Sequence, residues 1–284
     1  MMVYNSSNLQ QLLRSLGVGP HRLRGQNFLI DEAVVDRILQ VAAVSSGDTV
    51  LEIGPGLGAL SQKLETMVGR LILIELEVAF ANRLRDVFSF SPKVEVIDGD
   101  AVLLDYPDLC RQREIFRYDL VANLPYSITT PFLRRLFLYG GPWNRATLML
   151  QKEAATRICS GTGRENGPLS LLTQYCAEAQ YVFDVPQQCF YPQPAVCSGV
   201  IQLTRRVQPI AAVDMKRLFS LIDAAFSQRR KQLVNTLTAY CPADGGRLDR
   251  IKVESALHAC GLQKTVRAEQ LGLSDFVALL KELG

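Results

Sequence analysis

The chain is poor in the residues that build metal centres and disulfide frameworks. It has two histidines in 284 residues, and its seven cysteines (Cys110, Cys159, Cys176, Cys189, Cys197, Cys241 and Cys260) include no Cys-x-x-Cys pair. That usage argues against a zinc site and for reduced thiols, so no metal is expected. No apolar run is long enough to span a bilayer, and the first residues lack the charged, apolar, small-residue order of a secretory leader. The expectation is a cytoplasmic protein with no membrane partner. Internal repeats and low-complexity tracts are missing too, which leaves ordinary globular domains.

One familiar fingerprint is also incomplete. The apolar run Val50-Leu51-Glu52-Ile53 leads into Gly54-Pro55-Gly56-Leu57-Gly58, which is not the Gly-x-Gly-x-x-Gly of a dinucleotide site. Glu52, ahead of the first glycine, would repel a pyrophosphate and suits a cationic ligand instead. A nicotinamide-dependent oxidoreductase is therefore the weakest enzyme reading. S-adenosylmethionine, with an ammonium, a sulfonium and no phosphate, fits the pattern.

The elements around this turn read as an open α/β sheet. Residues 59–68 have helical spacing, and strands are expected at 71–74, 94–97, 119–122 and 146–150. The second strand ends in Glu75, about 20 residues past the glycines, where such folds grip ribose hydroxyls. The third ends in Asp98-Gly99-Asp100-Ala101. Helices are expected at 131–139 and 169–179, an exposed loop at 160–168, and two last strands at 181–185 and 196–203. Gln208-Pro209 marks a linker, which divides the chain into a catalytic domain of residues 1–207 and a small all-α domain of residues 208–284.

The segment Asn123-Leu124-Pro125-Tyr126, at the end of the 119–122 strand, carries the most specific chemistry. Proline fixes its own φ and biases Leu124 away from helix, so the Leu124 carbonyl can share a pocket with the Asn123 carboxamide. Two oxygens would then accept both hydrogens of an exocyclic amine. Tyr126 offers a face for the ring, a contact worth about 1–3 kcal/mol per base. Net charge is only +3, yet residues from Arg205 onward carry +5 and the rest −2. Arg229, Arg230 and Lys231 form the densest basic cluster, a candidate phosphate-binding surface.

Together, Gly25-Gln26-Asn27-Phe28-Leu29, the Glu52–Gly58 turn, Ile74-Glu75, Gly99-Asp100-Ala101 and Asn123–Tyr126 resemble the ribosomal RNA adenine N6-dimethyltransferases. Val185–Pro194 and Phe226–Lys231 extend the likeness to the small-subunit rRNA (KsgA or RsmA) type, over nearly the whole chain. The resemblance implies a Rossmann-like S-adenosylmethionine-dependent methyltransferase sheet with a helical RNA-binding domain. The implied reaction is dimethylation of two adjacent adenines in the 3′-terminal hairpin of 16S rRNA, within a pre-30S small subunit, by a monomer.

The resemblance places the cofactor on Asn27, Leu29, Gly54, Glu75, Asp100 and Asn123. Gln26, Glu52, Gly56 and Ala101 complete the candidate set. Glu75 would take the ribose diol, Asp100 the adenine amine and Gly54 the methionine half. Asn27 could equally be an ordinary cap for a helix at 31–41. Phe190 and Tyr126 would sandwich an adenine extruded from its stack, with a loop anchor under the sheet as the plain alternative for Phe190. Ala195 stands where the family usually has lysine, a departure at one expected phosphate contact. A glutamine N5-methyltransferase and a non-catalytic RNA-binding assembly or transcription factor are the competing readings. The first would not need the basic tail, and the second is hard to square with an intact Glu75, Asp100, Asn123 and Tyr126.

Overall fold

The computed structural model describes residues 6–17, 26–160, 167–208, 210–228, 230–238, 240 and 247–284. Most of the 160–168 loop, Pro209 of the expected linker and Arg229 lie outside them. The elements run α1 (Ser6–Ser15), β1 (Phe28–Leu29), α2 (Glu32–Ala42), β2 (Thr49–Ile53), α3 (Ser61–Met67), β3 (Arg70–Glu75), α4 (Val78–Val87), β4 (Val94–Asp98), α5 (Tyr106–Gln112), β5 (Tyr118–Asn123), α6 (Thr129–Tyr139), β6 (Trp143–Gln151) and α7 (Lys152–Cys159). Then come α8 (Pro168–Cys176), β7 (Ala177–Val185), β8 (Phe190–Tyr191), β9 (Ser198–Arg205), α9 (Met215–Phe226), α10 (Leu233–Leu237), α11 (Arg250–Ala259) and α12 (Leu273–Leu283).

A seven-stranded sheet orders β4-β3-β2-β5-β6-β9-β7. The five strands from β4 to β6 pair in parallel, and β9 runs antiparallel to β6. Near-continuous apolar runs such as Leu71–Ile74 and Leu120–Ala122 are buried on both faces, as parallel strands between helices require. Asp119 is the buried exception. It accepts from Asn144 Nδ2 at 2.7 Å, the Arg145 amide at 3.0 Å and the Arg145 guanidinium at 2.8 Å, which offsets its desolvation. Strand order reverses between β2 and β5, so the carboxyl ends of β2, β3 and β5 open onto the crevice where such sheets bind ligands. A separate two-stranded ribbon pairs Phe28 with Tyr191 and Leu29 with Phe190.

Two compact units emerge: Met1–Thr156 with Ala179–Arg205, and Arg157–Glu178 with Arg206–Gly284. The expected boundary at 207/208 is close at its carboxyl side but misses the inserted piece. Helix α8, expected within the first domain, packs on α9 and α12 of the second unit. The reason is its aromatic end: the Tyr175 ring meets Phe219 edge-on at 5.9 Å, and its hydroxyl donates to the Ala211 carbonyl at 3.0 Å. The helix also stops at Cys176, and β7 starts at Ala177 rather than at 181. The second unit is otherwise helical, with Leu218, Leu221, Ile222 and Ala225 of α9 buried as their spacing predicts.

Candidate functional site

Gly54, Gly56 and Gly58 all have positive φ, at +62°, +57° and +84°, so the chain leaves β2 through a turn that side chains resist. A Cβ on Gly54 would sit 3.7 Å from the Pro125 ring, which shows how closely the glycine turn approaches the Asn123–Tyr126 segment. These two motifs, 69 residues apart from Gly54 to Asn123, line one cavity with Gln26, Asn27 and Leu29.

Two carboxylates stand in that cavity. Glu75 is 4% exposed; its oxygens accept the Gly56 amide at 2.9 Å and the Glu77 amide at 2.9 Å. Burial raises its pKa to about 7, with the Gly56 and Leu76 amides opposing. Glu52 is 2% exposed and accepts the Ser61 hydroxyl at 2.6 Å. Its pKa rises to about 8, mainly through burial, with Ser61 opposing and the neighbouring Glu75 charge adding. A crevice lined by two carboxylates that resist ionisation is matched to a ligand with a cationic end and hydroxyls. Gln26 adds a buried Oε1 that has no hydrogen-bond partner in the protein.

Asn123 ends β5, and its Nδ2 donates to the Asn27 carbonyl at 3.1 Å. With the amino half of the carboxamide engaged there, Oδ1 is left as the acceptor. Leu124 is held by its amide to the Met149 carbonyl at 3.1 Å, and Pro125 adopts φ −54°, ψ 134° before the short turn Tyr126–Ile128. The Tyr126 hydroxyl shares a 3.0 Å hydrogen bond with Ser198 Oγ, and burial lifts its pKa. Asn27 is not a helix cap. Asp31 caps α2, accepting the Val34 amide at 3.1 Å, and Asn27 lines the cavity.

Not every candidate is brought here. Asp100 and Ala101 follow β4 but are not among the lining residues, and Asp100 Oδ1 accepts the Val102 amide at 2.8 Å. Phe190 does not line the cavity either. It is 3% exposed and belongs to the apolar cluster that also holds Leu29, Val35, Ile38 and Val185, a placement that suits the loop-anchor alternative. The ribbon pairing with Leu29 causes this, and a two-residue strand has no periodicity to betray it. Arg230 and Lys231 belong to the second unit and are exposed. Conversely, Ser61, Phe80 and Leu9 belong to the site region without having been singled out. The leucine spacing 9, 12, 13, 16 signals a helix but names no partner for it.

Among the described residues no cluster of His, Cys, Asp or Glu could hold a metal, and no helix is long and apolar enough to cross a membrane. A family model described as ribosomal RNA adenine dimethylase matches residues 21–271. The ribosomal RNA small subunit methyltransferase A of Moorella thermoacetica is 36% identical over 280 residues, covering 96% of this chain and 95% of its own. The protein of the same name from Listeria welshimeri is 36% identical over 274 residues, covering 95% and 92%. Among solved structures, the 23S rRNA methyltransferase ErmE superposes with a TM-score of 0.66 at 25% identity, covering 90% of this chain and 99% of its own. A dimethyladenosine transferase from Plasmodium falciparum shares the fold at 24% identity, with a TM-score of 0.71 and coverage of 89% and 95%. A match spanning that much of the chain, over a crevice of this chemistry, means that the chain belongs to the ribosomal RNA adenine dimethylase family.

Proposed function

We propose that the protein dimethylates N6 of two adjacent adenines in the 3′-terminal hairpin of 16S rRNA, acting as a cytoplasmic monomer on a pre-30S small subunit. The methyl donor is S-adenosyl-L-methionine, which supplies an electrophilic methyl on sulfur. The observation that carries the reading is the Asn123 carboxamide, tied through Nδ2 to Asn27 at the cavity that holds Glu52 and Glu75.

In this reading Glu75 receives the ribose hydroxyls, since two carboxylate oxygens have acceptor capacity beyond the amides they already bind. Glu52 favours the cationic half of the donor. Asn123 Oδ1 and the Leu124 carbonyl accept the hydrogens of the adenine amine, align its lone pair and stabilise the positive charge that develops on nitrogen. That is catalysis by position and fixed dipoles, with no base needed before attack. Tyr126 stacks on the extruded ring, and its hydrogen bond to Ser198 holds the ring plane. Each transfer would form N–CH3 as the S–CH3 bond breaks, with S-adenosylhomocysteine leaving and one proton passing from the nitrogen to water; the monomethylated amine keeps one hydrogen, enough for a second round held by one of the two acceptors. Arg229, Arg230 and Lys231 contact phosphates.

The test is methylation of small subunits that lack the modification, followed by nucleoside mass spectrometry. Dimethyladenosine at two neighbouring positions is expected. Modification of a glutamine-containing peptide in place of the rRNA would remove the proposal.

A further inference from the structure

Helix α1 lies outside the stretch matched by the family model, yet Leu9 of that helix is a lining residue of the cavity and has 0% exposure. Leu9 and Leu13 form one apolar cluster with Leu57 of the glycine turn and Phe80 of α4, and Phe28, Ile30 and Tyr191 pack against it. A ten-residue helix is marginal by itself, so this one owes its order to that cluster. A polar contact anchors it as well: Gln10 Nε2 donates to the Tyr191 hydroxyl at 2.6 Å. Tyr191 pairs across the ribbon with Phe28. The Phe28 ring lies edge-on to Phe80 at 5.6 Å, and a Cβ on Gly56 would meet it at 3.3 Å. Helix, ribbon and glycine turn are therefore one packed assembly around the crevice.

We infer that α1 is part of the cofactor site, a wall whose Leu9 closes the crevice beside the glycine turn and slows exchange of the methyl donor and its demethylated product. The inference rests on S-adenosylmethionine occupying this cavity. Retention matters for an enzyme that must exchange donor between successive transfers, because the docked wall sets how fast the crevice opens. Leu13 and Gln10 hold the helix in place without lining the cavity.

The experiment measures equilibrium binding and displacement kinetics of S-adenosylmethionine and S-adenosylhomocysteine on the full chain, with melting temperatures in parallel. Leu9→Ala is expected to release both ligands about tenfold faster, the lower end of what a lost apolar contact in a pocket contributes. Gln10→Ala should release them faster with its melting temperature unchanged, which keeps the question answerable if Leu9→Ala folds poorly. Ile38→Ala, a fully buried α2 position that does not line the cavity, should melt lower and keep wild-type release. Wild-type release rates in both Leu9→Ala and Gln10→Ala, or tighter binding in either, would overturn the wall. Failure of the wild-type chain to bind either ligand would instead remove the cofactor reading beneath it.

Discussion

Gly56 donates its backbone amide to the Glu75 carboxylate at 2.9 Å, fastening the turn after β2 to the end of β3. Only a residue at ease with φ +57° can present its amide there, and a side chain would also press on Phe28. Gly56→Ala is expected to cost about 1–2 kcal/mol from the left-handed backbone alone. Chemical denaturation should show that loss together with weaker binding of S-adenosylmethionine.

Asn123 is the sharpest catalytic test. Asn123→Ala removes one acceptor from a developing cation, and loss of one preorganised group of this kind typically slows the step about 10²–10³-fold. Single-turnover methylation should fall by that factor while donor binding changes less. A rate within a few-fold of wild type would end the proposed role.

For Phe190 one variant separates the core anchor from the stacking ring. As a core anchor, Phe190→Ala should lower stability by about 3–5 kcal/mol. Full thermal stability combined with lost methyl transfer would instead return Phe190 to the base.

The paired carboxylates predict a pH dependence of definite sign. Both Glu75, at about 7, and Glu52, at about 8, hold protons in the folded, ligand-free crevice at pH values where the unfolded chain has released them. Their contribution to stability is complete below the ordinary glutamate pKa of about 4.3 and is lost as pH rises through 7 and 8. The ligand-free melting temperature should drop between pH 5.5 and 8.5 by less in Glu52→Gln than in the wild type. A cationic donor favours the ionised carboxylates, so its affinity should rise over the same window with proton release, measurable by calorimetry in two buffers.

Replacing Arg229, Arg230 and Lys231 with glutamine should weaken RNA binding and flatten its salt dependence by about 0.7–0.9 per lost phosphate contact. Donor affinity should be unchanged. An unaltered salt slope would make the cluster a solvated surface.

The strands of the parallel sheet, the glycine turn, Glu75 and the Asn123–Tyr126 segment were legible in the chain. Each is encoded locally, by apolar runs, by glycine at positive φ and by a proline turn. The family follows from the same short segments. What the tertiary structure decided depends on partners distant in sequence. Phe190 goes to the core because Leu29 pairs beside it 161 residues away, and it is Asp31 rather than Asn27 that caps α2. Glu52 meets Ser61 in three dimensions, and the leucines of α1 find Leu57 and Phe80. Helix α8 leaves the sheet domain because Tyr175 packs on Phe219. A periodic pattern states that a face must be buried, but long-range packing alone chooses what buries it.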